Sequence, residues 1–399
     1  MYPTIYDAIK DLFGFDIPFL QIANTFGFFV AIAFLVANYV MSIELKRKEE
    51  EGILLPTTKM EKVGYPFSPA DYIVNTLIGF VLGYKIVPLL FDSSLLAGGA
   101  PHYLFSSNGN VIAGILLAGL LLFLKWREDK KQRLPEPKEL QVIVHPWQHM
   151  GYITLVAAVT GIFGAKFFHQ LEYWDDFIAD PIGGIFSASG LTFFGGLICG
   201  GAGVLWVAQK KGIGVRNMLD VGGPAMMLAY GIGRLGCHFS GDGDWGIVNS
   251  AHKPSWLSFM PDWFWAYNYP NNVAHECDPT GGSMPCDFGM TPYLQLPVWP
   301  TPMYEAIAAI VLFGVLWLLR KKIKPSGALF GIYLMMVGAE RFLIEKIRVN
   351  STYNLFGFYP TQAEIISVVL FLGGIALLIY AFQKSKNSSP LVEINGNRE

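Results

Sequence analysis

Six residues able to do chemistry stand close together: Arg234, Cys237, His238, Ser240, Asp242 and Asp244. The stretch around them, 230–246, reads YGIGRLGCHFSGDGDWG, an apolar glycine-rich segment that ends in a polar loop. A guanidinium is always charged and grips phosphate with two prongs. Arg234, at the end of an apolar segment, therefore reads as a phosphate clamp at lipid headgroup depth. The plainer alternative is an arginine snorkelling to the interface. Gly231, Gly233 and Gly236 favour the clamp, because they clear side chains from around the arginine and let a ligand approach. Few membrane segments carry such a cluster without a use for it.

Other groups add to it. Arg341, Glu345 and Arg348 are spaced i, i+4, i+7, so a continued helix puts them on one face. Two cations beside a carboxylate read as an anion site, or as an ordinary helix-end ion pair. Gly195 and Gly196 permit backbone contact with a ligand, or close helix packing. Thr301 or Pro302 begins a helix, where Tyr304 and Glu305 follow and Glu305 complements the helix dipole. Cys277 and Cys286, in CDPTGGSMPC, form a disulfide if their loop faces an oxidising compartment; otherwise they are free thiols. As a metal pair they lack a second pair. His145 and His149 lack a third ligand. Asp242-Gly-Asp244 is similar to a calcium loop without its later ligands. No nucleotide-binding glycine loop occurs. No metal and no cofactor is expected.

The elements that must position these residues are membrane helices. The 399 residues are 52% hydrophobic and 15% charged, where a soluble domain carries about 25% charged residues. With 30 Phe, 18 Tyr and 10 Trp, the composition describes an all-α polytopic membrane protein. The net charge of -2 says nothing about nucleic acid, but no basic block resembles a nucleic-acid footprint, and no nucleic-acid partner is expected. A span needs about 20 mostly apolar residues. Nine stretches qualify: 18–43, 72–92, 109–126, 150–170, 189–208, 218–237, 303–319, 327–345 and 360–383. The sixth, rich in glycine with a proline inside, suits a broken or tightly packed helix. No cleaved signal peptide is expected before the first, since residues 1–16 lack a basic region followed by an apolar core.

The loops set the orientation. Lys46, Arg47 and Lys48 follow the first stretch, and Lys125, Arg127, Lys130, Lys131 and Arg133 the third. Lys210, Lys211 and Arg216 follow the fifth, and Arg320, Lys321, Lys322 and Lys324 the seventh. The intervening loops are poor in cations, apart from Lys346 and Arg348 in 346–359. This places the N-terminus outside, the C-terminus in the cytoplasm, and 230–246 at the outer face. Polar cytoplasmic linkers are expected at 45–70 and 127–148, and a polar tail after Lys384.

Gly233-Arg234-Leu235-Gly236, a polar run and then Trp245-Gly246 resemble the signature of the prolipoprotein diacylglyceryl transferase family. Other pieces resemble it in order: Gly161 to His169, Gly190 to Leu197, Pro300 to Glu305, and Arg341-Phe-x-x-Glu345-x-x-Arg348. Thr25-Phe26-Gly27 falls where the family's first helix has Tyr-Gly. The resemblance implies a seven-helix core, with 1–44 as the N-terminal segment and first helix and 149–383 as the remainder. Residues 71–126 would be an inserted hairpin, 247–297 an enlarged exterior cap, and 384–399 the cytoplasmic tail. It implies transfer of diacylglyceryl from phosphatidylglycerol to the lipobox cysteine thiol of prolipoprotein signal peptides, in a bacterial inner membrane, at its periplasmic or exterior face. Arg234 and Arg341, with His238 and Asp242, would carry the catalysis. Gly195, Gly196, Cys237, Ser240, Tyr304, Glu305, Glu345 and Arg348 would bind substrate. Phe194, Cys237, Ser240, Val337 and Phe26 replace polar residues of the family pattern, and Asp242 takes its Glu position. Two competing expectations are a non-catalytic or differently specific paralogue that binds phospholipid or a protein partner, and a transporter. A transporter site would lie near mid-membrane, whereas these charges collect at one face.

Overall fold

The computed structural model describes residues 1–96, 100–186, 192–278, 292–354 and 357–387. Helices dominate. In chain order they are α1 (Ile5–Phe13), α2 (Thr25–Glu50), α3 (Pro69–Lys85), α4 (Ala100–Phe105), α5 (Val111–Gln132), α6 (Met150–Glu172), α7 (Trp174–Ala179), α8 (Pro181–Phe186), α9 (Phe193–Lys210), α10 (Val215–Ser240), α11 (Thr301–Leu319), α12 (Ala328–Ile344) and α13 (Gln362–Asn387). Each of the nine expected stretches overlaps a helix. Among the described residues, five segments are long and apolar enough to cross a membrane: Thr25–Glu50, Pro69–Leu90, Pro146–Glu172, Thr301–Leu319 and Gln362–Asn387. The chain is thus a mostly helical, multi-pass membrane protein. The first stretch starts later than expected, because 18–22 forms a short 3-10 turn opened by Pro18. It also runs on to Glu50, through Glu, Lys and Arg, which are good helix formers.

The chain divides into two compact units. The first comprises Met1–Pro3, Thr25–Leu55 and Pro146–Glu399. Its centre is α10, which packs on α2, α11 and α12. It is one continuous helix of 26 residues with Pro224 inside, so the tightly packed reading holds and the broken one does not. Small residues explain it. A Cβ on Gly231 would meet the Ala309 Cβ at 3.1 Å, and one on Gly236 the Phe29 Cβ at 2.9 Å. These two glycines buy proximity to α11 and α2, where the sequence reading assigned them to a ligand. Of the three glycines around Arg234, Gly233 alone has nothing within 4 Å.

The second unit comprises Thr4–Asn24 and Pro56–His145. Its helices α3 and α5 pair closely, Gly83 lying against the Ala113–Gly114 backbone. Capping boxes start α1 (Thr4 with Asp7) and α3 (Ser68 with Asp71), satisfying orphan amides. The two polar linkers, for which no strand was expected, hold β1 (Thr57–Val63) and β2 (Lys138–Val144). They pair antiparallel, from Thr57 opposite Val144 to Val63 opposite Lys138. This small sheet is the departure from an all-helical chain among the described residues.

Candidate active site

Tyr230, Arg234 and Cys237 lie on α10 at i, i+4, i+7 and so share a face. The chain then turns sharply. Gly241 caps the helix in the left-handed region, at φ +67°, and Gly243 follows at φ +97°, which glycine tolerates without cost. The turn brings Asp244 back over Arg234. α11 starts at Thr301 with Pro302 in its first turn, as expected. The Thr301 hydroxyl donates to the Asp244 carbonyl at 2.8 Å, fixing that loop to α11. One turn on, Glu305 is 0% exposed.

Glu305 is the hub. Its Oε2 takes Arg234 Nε at 2.5 Å and the Tyr230 hydroxyl at 2.7 Å. Its Oε1 takes Arg348 Nη1 at 2.9 Å and Arg341 Nη1 at 3.3 Å. Arg234 also pairs with Asp244, and Arg348 Nη2 donates to Asp244 Oδ1 at 2.7 Å. Two arginines and two carboxylates therefore alternate in a closed ring. Arg341 joins it through Glu305 and is held by Glu345 at 3.2 Å. Burial works to raise the Asp244 carboxyl, but Arg234 and Arg348 outweigh it and hold it down at about 2. Burial, then Asp244, pushes Asp242 up.

The sequence placed Arg341, Glu345 and Arg348 on one helix face, which the structure corrects. α12 stops at Ile344, a 3-10 turn covers Glu345–Ile347, and Arg348 is extended. Arg348 bridges Gly246 as a short antiparallel pair, and this turns its side chain onto Glu305. A Cβ on Gly246 would sit 2.3 Å from the Ile347 carbonyl oxygen, so the bridge demands glycine there.

Other expected site residues lie elsewhere. Gly195 packs against α6, where a Cβ would meet the Gly164 carbonyl oxygen at 2.4 Å, and Gly196 faces Gly161 and Ala165. Tyr304 donates to the Phe264 carbonyl at 2.6 Å, tying α11 to the 247–297 region. Ser240 is buried and bonds the Cys237 carbonyl. The His238 ring is buried among Phe239, Trp263, Tyr267 and Tyr269, its Nδ1 3.2 Å from the Tyr269 hydroxyl. Cys237 stays at the cluster, its Sγ 3.8 Å from Arg234 Nη1. Cys237, Asp242 and Asp244 offer ligand atoms within 4.8 Å of one another, but Arg234 occupies Asp244 and opposes a cation there. Cys277 is disulfide-bonded, and Cys286 lies outside the described residues.

Sequence reasoning missed Asp244 as the arginines' partner, naming Asp242 instead. Its place beside Trp245-Gly246 was the available signal. It gave Glu305 a dipole role from its position and substrate binding from the resemblance, but not the hub of the arginines, because nothing local announces three distant arginines.

Residues 110–380 match the family model for prolipoprotein diacylglyceryl transferase. A Vibrio vulnificus protein named phosphatidylglycerol–prolipoprotein diacylglyceryl transferase is 29% identical over 276 residues, covering 68% of this chain and 87% of the relative. Relatives of the same name from Dehalococcoides mccartyi and Leptospira interrogans are 28% and 25% identical, covering 59% and 63% of this chain and 78% and 86% of theirs. The arginine ring and its loop lie inside the matched region, and the chain belongs to the prolipoprotein diacylglyceryl transferase family.

Proposed function

We propose that this chain transfers a diacylglyceryl group from phosphatidylglycerol to the lipobox cysteine thiol of prolipoproteins. The reaction forms a thioether and releases glycerol phosphate. The observation that carries the reading is the convergence of Arg234, Arg341 and Arg348 on Glu305. An anionic leaving group needs preorganised cations where its charge develops. Glu305 and Asp244 hold the guanidiniums in place, and Asp244, with its side chain 35% exposed, is the partner a phosphate would displace. Arg234 and Arg341 are the proposed clamp, Arg348 its support, and Cys237 and Asp242 line it. The nine helices cross the membrane with the N-terminus outside, which sets the ring at the outer leaflet and the 247–297 region over it. Cys277 and Cys286 close that region's loop.

A second reading has its own support: each of the three arginines already has a carboxylate. It makes the ring a structural staple in a protein that binds phospholipid without reacting. Incubating the purified protein with a lipobox peptide and phosphatidylglycerol vesicles separates the two. The first reading expects the peptide to gain the mass of diacylglyceryl, and an unchanged peptide overturns it.

A further inference from the structure

Thiol transfer poses a question the ring leaves unanswered. A free thiol has a pKa near 8.5, so the attacking sulfur needs a group to take its proton. The acids of the ring are poorly suited. Asp244 is paired with two arginines and Glu305 with three; Glu345 Oε1 takes the Asn350 amide at 2.5 Å, and its Oε2, though without a hydrogen bond, is ion-paired with Arg341 at 3.2 Å. These carboxylates are already engaged by guanidiniums, which leaves them poorly placed to receive a thiol proton. His238 is enclosed by aromatic rings and turned to Tyr269.

Glu340 differs. It sits on α12 next to Arg341 but cannot share its direction, since neighbours on a helix do not face each other. Its Oε1 is buried and has no hydrogen-bond partner among the described residues. Its charge acts on Tyr230 of α10 and is acted on by Glu305 of α11, Arg341, Arg234 and Arg348. On α13, which packs against α12, Glu364 is taken up by Lys346. Burying an unsatisfied carboxylate oxygen is costly, and a group kept at that cost beside a site is a candidate for work there.

We infer that Glu340 is the proton acceptor for the incoming lipobox thiol. The inference rests on the transferase reading above. The S–H proton passes to a Glu340 carboxylate oxygen, and the sulfur lone pair forms the bond to the glyceryl carbon. The C–O bond to phosphate breaks, and its electron pair leaves with glycerol phosphate, whose charge the arginines meet. Glu340 then returns its proton to solvent or to the leaving phosphate.

The test compares wild type, Glu340→Gln and Glu340→Asp on two acceptor peptides, one with the lipobox cysteine and one with selenocysteine in its place. A selenol is ionised at neutral pH and needs no base. Glu340→Gln is expected to slow transfer to the cysteine peptide by about 10²-fold or more, the usual size of general-base effects. The loss falls on kcat and leaves KM for phosphatidylglycerol within about twofold, since a group acting only in the transition state does not alter substrate binding. The selenocysteine peptide should restore Glu340→Gln to near the wild-type rate, and Glu340→Asp should recover part of the loss. Equal losses on both peptides, or an unaffected Glu340→Gln, overturn the inference. If Glu340→Gln does not insert, Glu340→Asp carries the same two-peptide comparison. A wild type inactive on both peptides would instead refute the transferase reading itself.

Discussion

Two ionic clusters mark the two ends of α10, and they are built differently. Near its start, Asp220 accepts the Gly327 and Phe330 amides at 2.7 and 3.0 Å and lies 3.9 Å from Lys48. Beside it Glu44 binds Arg47 at 2.5 Å and Arg320 at 3.2 Å. Each acid there meets the first turn of a helix or the nearest cation, and the result fastens α2, α10, α11 and α12 together. At the other end three arginines gather on Glu305, Asp244 is partly open, and Glu340 Oε1, Glu345 Oε2 and Arg348 Nε are buried without a hydrogen-bond partner among the described residues. Evolution keeps unsatisfied buried groups only where something compensates. The first cluster is complete as it stands, and the proposed function assigns the open positions of the second to a ligand.

Mutations can break that contrast. The largest effect is expected at Arg234. Arg234→Ala should reduce diacylglyceryl transfer by ~10³-fold, near the upper end for loss of one charge-stabilising donor, while the protein still inserts. Rescue of a transferase-depleted strain by this variant would sink the assignment. At the opposite end, Glu44→Ala leaves Arg47 and Arg320 without their shared carboxylate. Breaking a buried pair costs about 3–5 kcal/mol, so thermal unfolding in detergent should fall well below wild type. Transfer per folded molecule should stay within about twofold, because no reacting group is touched. An active-site phenotype with normal stability would erase the distinction between the ends.

Acid provides a gentler probe. The folded Asp244 carboxyl titrates at about 2, below its ordinary value of about 3.9. A depressed carboxyl contributes stability that is fully present above the ordinary value and lost as pH falls towards the folded one. Wild type should therefore lose stability between about pH 4 and pH 2, and Asp244→Asn should show a smaller loss over that window. Identical acid profiles would place Asp244 outside the ring in solution. The smallest effect is expected at Gly233, where added atoms meet open space. Gly233→Ala should raise helix stability by about 0.5–1 kcal/mol, whereas Gly236→Ala, crowding Phe29 at 2.9 Å, should lower it. The reverse order would mean that α10 packs the other way round.

The helices were legible because an apolar run near 20 residues long has few other fates. Arg234 and Arg341 were legible because charge in such runs is conspicuous. What stayed hidden depends on contacts between distant residues. Glu305 looked like a helix-start acid, and its three arginines come from α10, α12 and the strand-like Arg348. The stretch 327–345 ended within a residue of α12, but the helical spacing carried on to Arg348 could not be rejected, since nothing between Ile344 and Arg348 breaks a helix by type. The role of Gly246 in pairing with Arg348 decides it. The strands β1 and β2 were missed for another reason. They run for only seven residues each and lack a sustained apolar–polar alternation, a weak signal amid charged linkers.

The most direct test of the contrast is native mass spectrometry of phosphatidylglycerol bound to wild type, Arg234→Gln and Arg320→Gln. Two arginines are exchanged, one at each end of the molecule's central helix region. The account predicts that Arg320→Gln keeps the bound lipid and Arg234→Gln loses it. Lipid retained by Arg234→Gln, or lost equally by both, would contradict the claim that the Glu305 ring is the phosphate site.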